Sequence, residues 1–102
     1  MGTKTKEALR IIGHLLETNG TVGHYARDDN GDCVDYFHEE ACKFCLAGAS
    51  YVVDEKVYGK GEYSEALARE VKSYLKVSNI IQAWDDTTPA GRKKIIQKLK
   101  NA

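Results

Sequence analysis

Four soft ligands fall within thirteen residues of this chain: Cys33, His38, Cys42 and Cys45. Cys42 and Cys45 are spaced as a metal-binding pair, and His38 lies one helical turn before Cys42, so the set is a candidate zinc site. The opposing reading places Cys42 and Cys45 inside an apolar helical pattern, where small buried thiols are the default. A second metal pattern overlaps the first. Asp28, Asn30, Asp32 and Glu39 stand at positions 1, 3, 5 and 12 of a twelve-residue calcium loop, but Cys33 occupies the sixth position, where such a loop needs glycine. No helix precedes it, and Asn30-Gly31 is better explained as a hairpin turn. No metal is therefore assigned. Catalytic groups are sparser still. His14, His24 and His38 have no nucleophile beside them in sequence, and Cys45 belongs to a stripe that predicts burial. Asp85 and Asp86 are adjacent on a helix and point apart, so they do not share a proton. Capping, or pairing with Arg27 or Arg92, is the simpler role for them, and Arg27-Asp28 reads as a structural ion pair.

These residues must be positioned by helices. Ala8, Leu9, Ile12, Leu15 and Leu16 recur at helical spacing over residues 5–19, with Ile11 at the edge of the stripe and Asn19-Gly20 as the stop. Residues 22–28 and 32–36 flank Asp29-Asn30-Gly31-Asp32 and predict a hairpin with positive φ at both central turn residues. Two strands alone are marginal, so the hairpin must lean on the helices. A second helix is expected over 38–54, with Ala41, Cys45, Gly48, Ala49 and Val52 along one face. Gly48 lies three residues after Cys45, where a small residue lets another backbone come close. A loop follows at 55–63. Ser64 is a candidate cap for a third helix over 65–76 carrying Ala66, Leu67, Val71, Tyr74 and Leu75. Ser78 or Asn79 opens a short helical turn through Trp84. Thr88-Pro89 opens the last helix, which runs to about 100 and carries Ile95, Ile96 and Leu99. The fold class is mainly α: a compact bundle of about four helices with one small β-hairpin, in a single domain spanning 1–102.

Bulk composition narrows the function classes. Hydrophobic residues make up 42% and charged residues 29%, which suits one modest core and argues against a disordered chain. Lys+Arg and Asp+Glu are both 15, so no global charge draws the chain to nucleic acid or to a membrane surface. No apolar run reaches the ~20 residues that span a bilayer. Met1-Gly2-Thr3-Lys4 lacks a signal-peptide core, and Lys6 replaces the Ser/Thr of a myristoylation motif. Three cysteines without a secretion signal read as free thiols in a cytoplasmic protein. Charge is unevenly placed. Asp28, Asp29, Asp32, Asp35, Glu39 and Glu40 crowd one stretch; Arg92, Lys93, Lys94, Lys98 and Lys100 crowd the last helix, where cations complement the dipole. Aromatics do not interleave with those bases, which argues against single-strand binding.

Two short segments carry a family signature. Phe44-Cys45-Leu46-Ala47-Gly48-Ala49 is answered by Ala83-Trp84-Asp85-Asp86. With Ala8-Leu9-Arg10, Gly23, Ala26-Arg27-Asp28, Gly31 and Arg92, the chain resembles a small family of bacteriophage and bacterial proteins classed as a domain of unknown function. That family's pattern has a Gly-x-x-Ala-Arg-Asp-x-x-Gly hairpin, a Trp-Cys-x-x-Gly-Ala helix and a Trp-Asn-Asp motif before a final helix. The match spans nearly the whole chain, with Phe44 in place of Trp and Asp85 in place of Asn. The resemblance implies that Arg27, Asp28, Cys45, Trp84 and Asp86 form one polar-aromatic cluster, either a ligand pocket or the clasp that holds the hairpin. Only Cys45 of the zinc set falls on the pattern. The implied function is that of a phage-type accessory protein, a host-takeover or anti-defence factor binding a host protein in the bacterial cytoplasm, as a monomer or homodimer and without a cofactor. The alternatives are a small-ligand or nucleotide binder, even an enzyme, using Arg27, Asp28, Trp84, Asp85, Asp86 and Arg92, and a nucleic-acid binder using the basic last helix.

Overall fold

The computed structural model describes residues 2–59 and 65–102. Among them are five helices, α1 (Thr3–Asn19), α2 (Leu46–Tyr58), α3 (Ala66–Leu75), α4 (Ile80–Asp85) and α5 (Pro89–Lys100). Three short strands, β1 (Ala26–Arg27), β2 (Cys33–Val34) and β3 (Lys43–Phe44), complete the fold. The protein is mainly α with a small antiparallel sheet. Helix α1 is the hub, packing on α5, α2 and α3 while α2 packs on α3 and α4. Ala8, Leu9, Ile12 and Leu16 are buried and Ile11 is 47% exposed, as the helical stripe dictates. The opposing layer is Leu46, Ala47, Ala49 and Val53 of α2, Leu67 and Val71 of α3, Trp84 of α4 and Leu99 of α5. No helix of the described residues is long and apolar enough to cross a membrane.

The helix ends follow their chemistry. The Asn79 side chain accepts from the backbone N–H of Ile81 (2.9 Å) and Gln82 (3.2 Å), and Thr88 Oγ1 accepts from Gly91 N–H (3.0 Å) with Pro89 at the first helical position. Ser64 lies outside the described residues. The Asp54 carboxylate, reaching across from α2, accepts from Leu67 N–H at 2.8 Å in the first turn of α3.

Two expectations are corrected. The second helix spans Leu46–Tyr58 rather than 38–54, so it starts later than expected and continues into the stretch read as loop. Asp35 Oδ1 takes Phe37 N–H and His38 Nδ1 takes Glu40 N–H, and such local bonds compete with the helix ladder. The chain then runs along the free edge of β1, forming β3, and turns helical only after Cys45. The sheet order is therefore β2-β1-β3, with Ala26 opposite both Val34 and Phe44. The hairpin itself is present, but its turn differs. Gly31 N–H donates to the Asp28 carbonyl (3.0 Å), and among turn residues only Gly31 has positive φ, +84°. This is a turn over 28–31 that ends on a left-handed glycine, not a two-residue turn with both centres left-handed. Asp28 Oδ1 fixes it by accepting from both Asn30 and Asp32 N–H.

Candidate functional site

The residues singled out by the sequence converge on one stretch without regular structure, Gly20–Tyr25, between α1 and β1. Its backbone is held from four directions. Thr21 N–H donates to the Phe44 carbonyl at 2.8 Å. The Trp84 indole N–H donates to the Thr21 carbonyl at 2.7 Å. Asp85 Oδ1 accepts from Gly23 N–H at 3.2 Å. The Arg27 guanidinium reaches Thr21 Oγ1 (3.1 Å), the Val22 carbonyl (3.1 Å), the Gly31 carbonyl (2.9 Å) and Cys33 Sγ (3.5 Å). Arg27 thus ties this stretch to the turn of the hairpin. Its partners are carbonyls, a hydroxyl and a sulfur, so the Arg27–Asp28 ion pair expected from sequence gives way to backbone clamping.

The other members sit around this clasp. Arg92 donates to the carbonyls of Trp84 (3.1 Å) and Thr87 (2.8 Å), closing the C-terminal end of α4. It pairs with neither Asp85 nor Asp86. Asp28 is occupied with its own turn, and Asp86 is exposed and serves through its backbone N–H on the Gln82 carbonyl. Cys45 caps α2, its sulfur accepting from Gly48 N–H at 3.4 Å, and burial pushes its thiol pKa up. Gly48 is required by proximity. A Cβ there would collide with the Tyr25 carbonyl oxygen, which itself accepts from Cys45 N–H at 3.2 Å. Tyr25 backbone therefore lies directly on the first turn of α2.

Arg27, Cys45, Trp84 and Asp85 are brought together, and Asp28 and Arg92 adjoin them. The guanidinium and indole N–H groups that a nucleotide reading would use are already bonded to backbone. The metal candidates are dispersed in role. Cys42 Sγ donates to Asp29 Oδ1 at 3.3 Å, and desolvation together with that carboxylate raises its pKa. Cys33 is exposed beside Arg27, His38 is engaged by Glu40 N–H, and Cys45 is the cap. Among the described residues no group of three or more His, Cys, Asp or Glu is placed to hold a metal ion. Asp28, Asp29, Glu39 and Glu40 do line an open acidic cleft of about 480 Å³ beside Cys42. On α5, Arg92 is bonded to carbonyls, Lys100 to Glu17 at 2.7 Å, and Lys98 lies 5.5 Å from the Tyr74 ring centroid.

Sequence reasoning missed two features. One is Asp54, which is 1% exposed and gives a helix terminus its carboxylate; an acid in an apolar helical run was its only signal. The other is a surface cluster of Tyr25, Tyr36, Phe37 and Tyr51, drawn from β1's approach, the segment after β2, and α2. The clasp leaves Val22, Tyr25 and Ile81 outward, at 36%, 42% and 37% exposure. Tyr25 and Ile81, with Gly23, His24, Cys45 and Asp85, border a cleft of about 160 Å³. Comparisons of the chain with protein-family models, with curated protein sequences and with solved structures find no match.

Proposed function

We propose that this protein acts by binding another protein, through the face that Val22, Tyr25 and Ile81 build around the clasped segment. The carrying observation is the use to which the polar cluster is put. Arg27, Trp84 and Asp85 each bond to the Gly20–Tyr25 segment, while its Val22 and Tyr25 side chains and Ile81 of α4 stand exposed. A rigid irregular loop presenting an aromatic anchor is what a binding surface needs, because little entropy is left to lose on association. Asp85 borders the same cleft as Tyr25 and Ile81, so the fitting partner carries a base beside an apolar anchor point. The resemblance of the motifs to phage and bacterial proteins supports a bacterial host protein as that partner and a host-directed role.

The experiment is affinity capture from host extract with the wild-type chain and with Ile81→Glu in parallel. Ile81 is exposed, so the variant keeps its Tm. A host protein retained by the wild type, identified by mass spectrometry and lost with Ile81→Glu, supports the reading. Equal retention by both chains refutes this face. Stabilisation of the protein by nucleotides in a thermal-shift screen would favour the small-ligand alternative instead.

A further inference from the structure

The tyrosine cluster next to this face has its own chemistry. Tyr25, Tyr36 and Tyr51, with Glu65, line an open cleft of about 240 Å³. Its size is below the ~300 Å³ at which pockets begin to enclose whole drug-sized ligands, so it suits a head group or a side chain end. The ring centroids are 5.8 Å (Tyr25–Tyr36), 6.1 Å (Tyr25–Tyr51) and 5.1 Å (Tyr36–Tyr51) apart. A cation seated in this cleft over a ring face comes within the ~6 Å over which a ring quadrupole attracts positive charge. Phe37 supports the wall, its centroid 4.8 Å from that of Tyr36. Glu65 adds a carboxylate at the rim. It reaches Arg69 only at 4.0 Å, with both side chains more than half exposed, a weak pair that leaves the carboxylate able to face a guest. The Tyr51 hydroxyl titrates above its ordinary value, through desolvation first and then the neighbouring Tyr25, Glu65 and Tyr36, so the site disfavours an added negative charge.

Ring orientation selects among cations. The interplanar angles are 68°, 53° and 34°, so no two of the three rings are parallel. A planar guanidinium stacks on one such face at most. An unmodified ammonium is strongly hydrated and gives up more of its water on entering a cleft lined by three rings. A methylated ammonium is round, weakly hydrated and poor in donors, and it touches faces at any angle. We propose that Tyr25, Tyr36, Tyr51 and Glu65 form a cage for a methylated ammonium group. The inference goes beyond the protein-binding reading and does not depend on it.

The test is a titration followed by NMR of the tyrosine rings, with four probes: N-acetyl-trimethyllysine amide, choline, N-acetyl-arginine amide, and 3,3-dimethylbutanol, the uncharged carbon isostere of choline. Saturable binding of a methylated ammonium, with the isostere about tenfold weaker, is expected. Whichever of trimethyllysine and choline binds tighter assigns the source, polypeptide or free metabolite. Tyr51→Phe keeps the affinity, Tyr51→Leu lowers it about tenfold, and Glu65→Gln lowers it a few-fold. If Tyr51→Leu does not fold, Tyr25→Leu, at an exposed position, carries the same comparison, and the isostere comparison needs no variant. Equal binding of the isostere, tighter binding of the arginine probe, or no saturation by about 20 mM of either methylated probe overturns the proposal. The Ile81→Glu chain separates the two readings: it loses the protein partner and keeps the cage.

Discussion

Replacing Gly48 with alanine tests the clasp at its tightest point. The new Cβ would overlap the Tyr25 carbonyl oxygen and lie 2.9 Å from the carbonyl carbon and 3.3 Å from Cα of the same residue. All three are backbone atoms, so no side-chain rotation relieves the collision. Either α2 or the Gly20–Tyr25 segment must move, and the Cys45 N–H to Tyr25 carbonyl bond is the first contact to lengthen. Overpacking of this kind costs ~1–3 kcal/mol, and a lost hydrogen bond adds ~1 kcal/mol. Alanine recovers at most ~1 kcal/mol through its helix propensity. The net expectation is a destabilisation of about 2 kcal/mol, read as a drop in Tm of roughly 8–16 °C for a domain of this size. Urea denaturation should show a lower midpoint at unchanged slope. Gly31→Ala is the control. It meets no atom within 4 Å but sits at φ +84°, so its cost of about 1 kcal/mol is conformational. A Gly48→Ala chain as stable as the wild type would refute the close approach, and with it the account of how the segment is held.

Three further outcomes are expected. Asp54→Ala leaves the Leu67 N–H unpaired at the start of α3 and should cost about 2 kcal/mol in denaturation, whereas Asp54→Asn, which keeps an acceptor, should cost less than half of that; equal losses would show that charge rather than the hydrogen bond matters. Thiol-reagent kinetics should show Cys33 reacting first and Cys45 last, because burial raises the Cys45 pKa and leaves less thiolate at any given pH; its rate should keep rising with pH beyond the range in which an ordinary thiol levels off, and fast modification of Cys45 in the folded chain would contradict its burial. The Glu17 carboxyl is held below its ordinary value chiefly by the hydrogen bond from Lys100, so this pair's contribution is complete above the unfolded Glu pKa and fades as pH falls through the lowered folded value; an NMR titration of Lys100→Ala should return Glu17 toward the ordinary value.

The helices were legible because periodicity and capping act locally. The α1 stripe, the Asn79 cap and Thr88-Pro89 each contain their reason within a few residues. The start of α2 was not, because Ala41 and Cys45 fit a helical stripe by spacing while the chain there is taken by a strand partner sixteen residues upstream, Lys43 opposite Arg27. The same gap between local and tertiary information runs through the site. The spacing of Gly48 three residues after Cys45 points to a close backbone approach, and the Tyr25 carbonyl makes it. Composition does not say whether a guanidinium faces solvent or carbonyls, and here it faces carbonyls. The tyrosines of the cage come from positions 25, 36 and 51, with no spacing rule to connect them, so only tertiary structure assembles them.

The arrangement of polar groups explains why a chain this short can carry an irregular surface segment without losing it to disorder. Gly20–Tyr25 is mostly exposed and buries too little apolar area to hold itself in place, and the adjoining sheet, with strands of two residues, has few ladder bonds to offer. Each ordered residue costs ~1–2 kcal/mol of backbone entropy. Bonds to a guanidinium, a buried indole and a carboxylate supply part of the compensation, and the Gly48 contact fixes the distance from α2. Because these anchors reach the segment mainly through its backbone, the side chain of Val22 has no part in the clasp, and that of Tyr25 touches the fold through its ring contacts with Tyr36 and Tyr51. The identity of residues 22 and 25 can change without unfolding the protein, while the clasp beneath them cannot. Sequence variation at 22 and 25 over an unchanged Arg27, Gly48 and Trp84 is therefore the way this fold would alter what it binds.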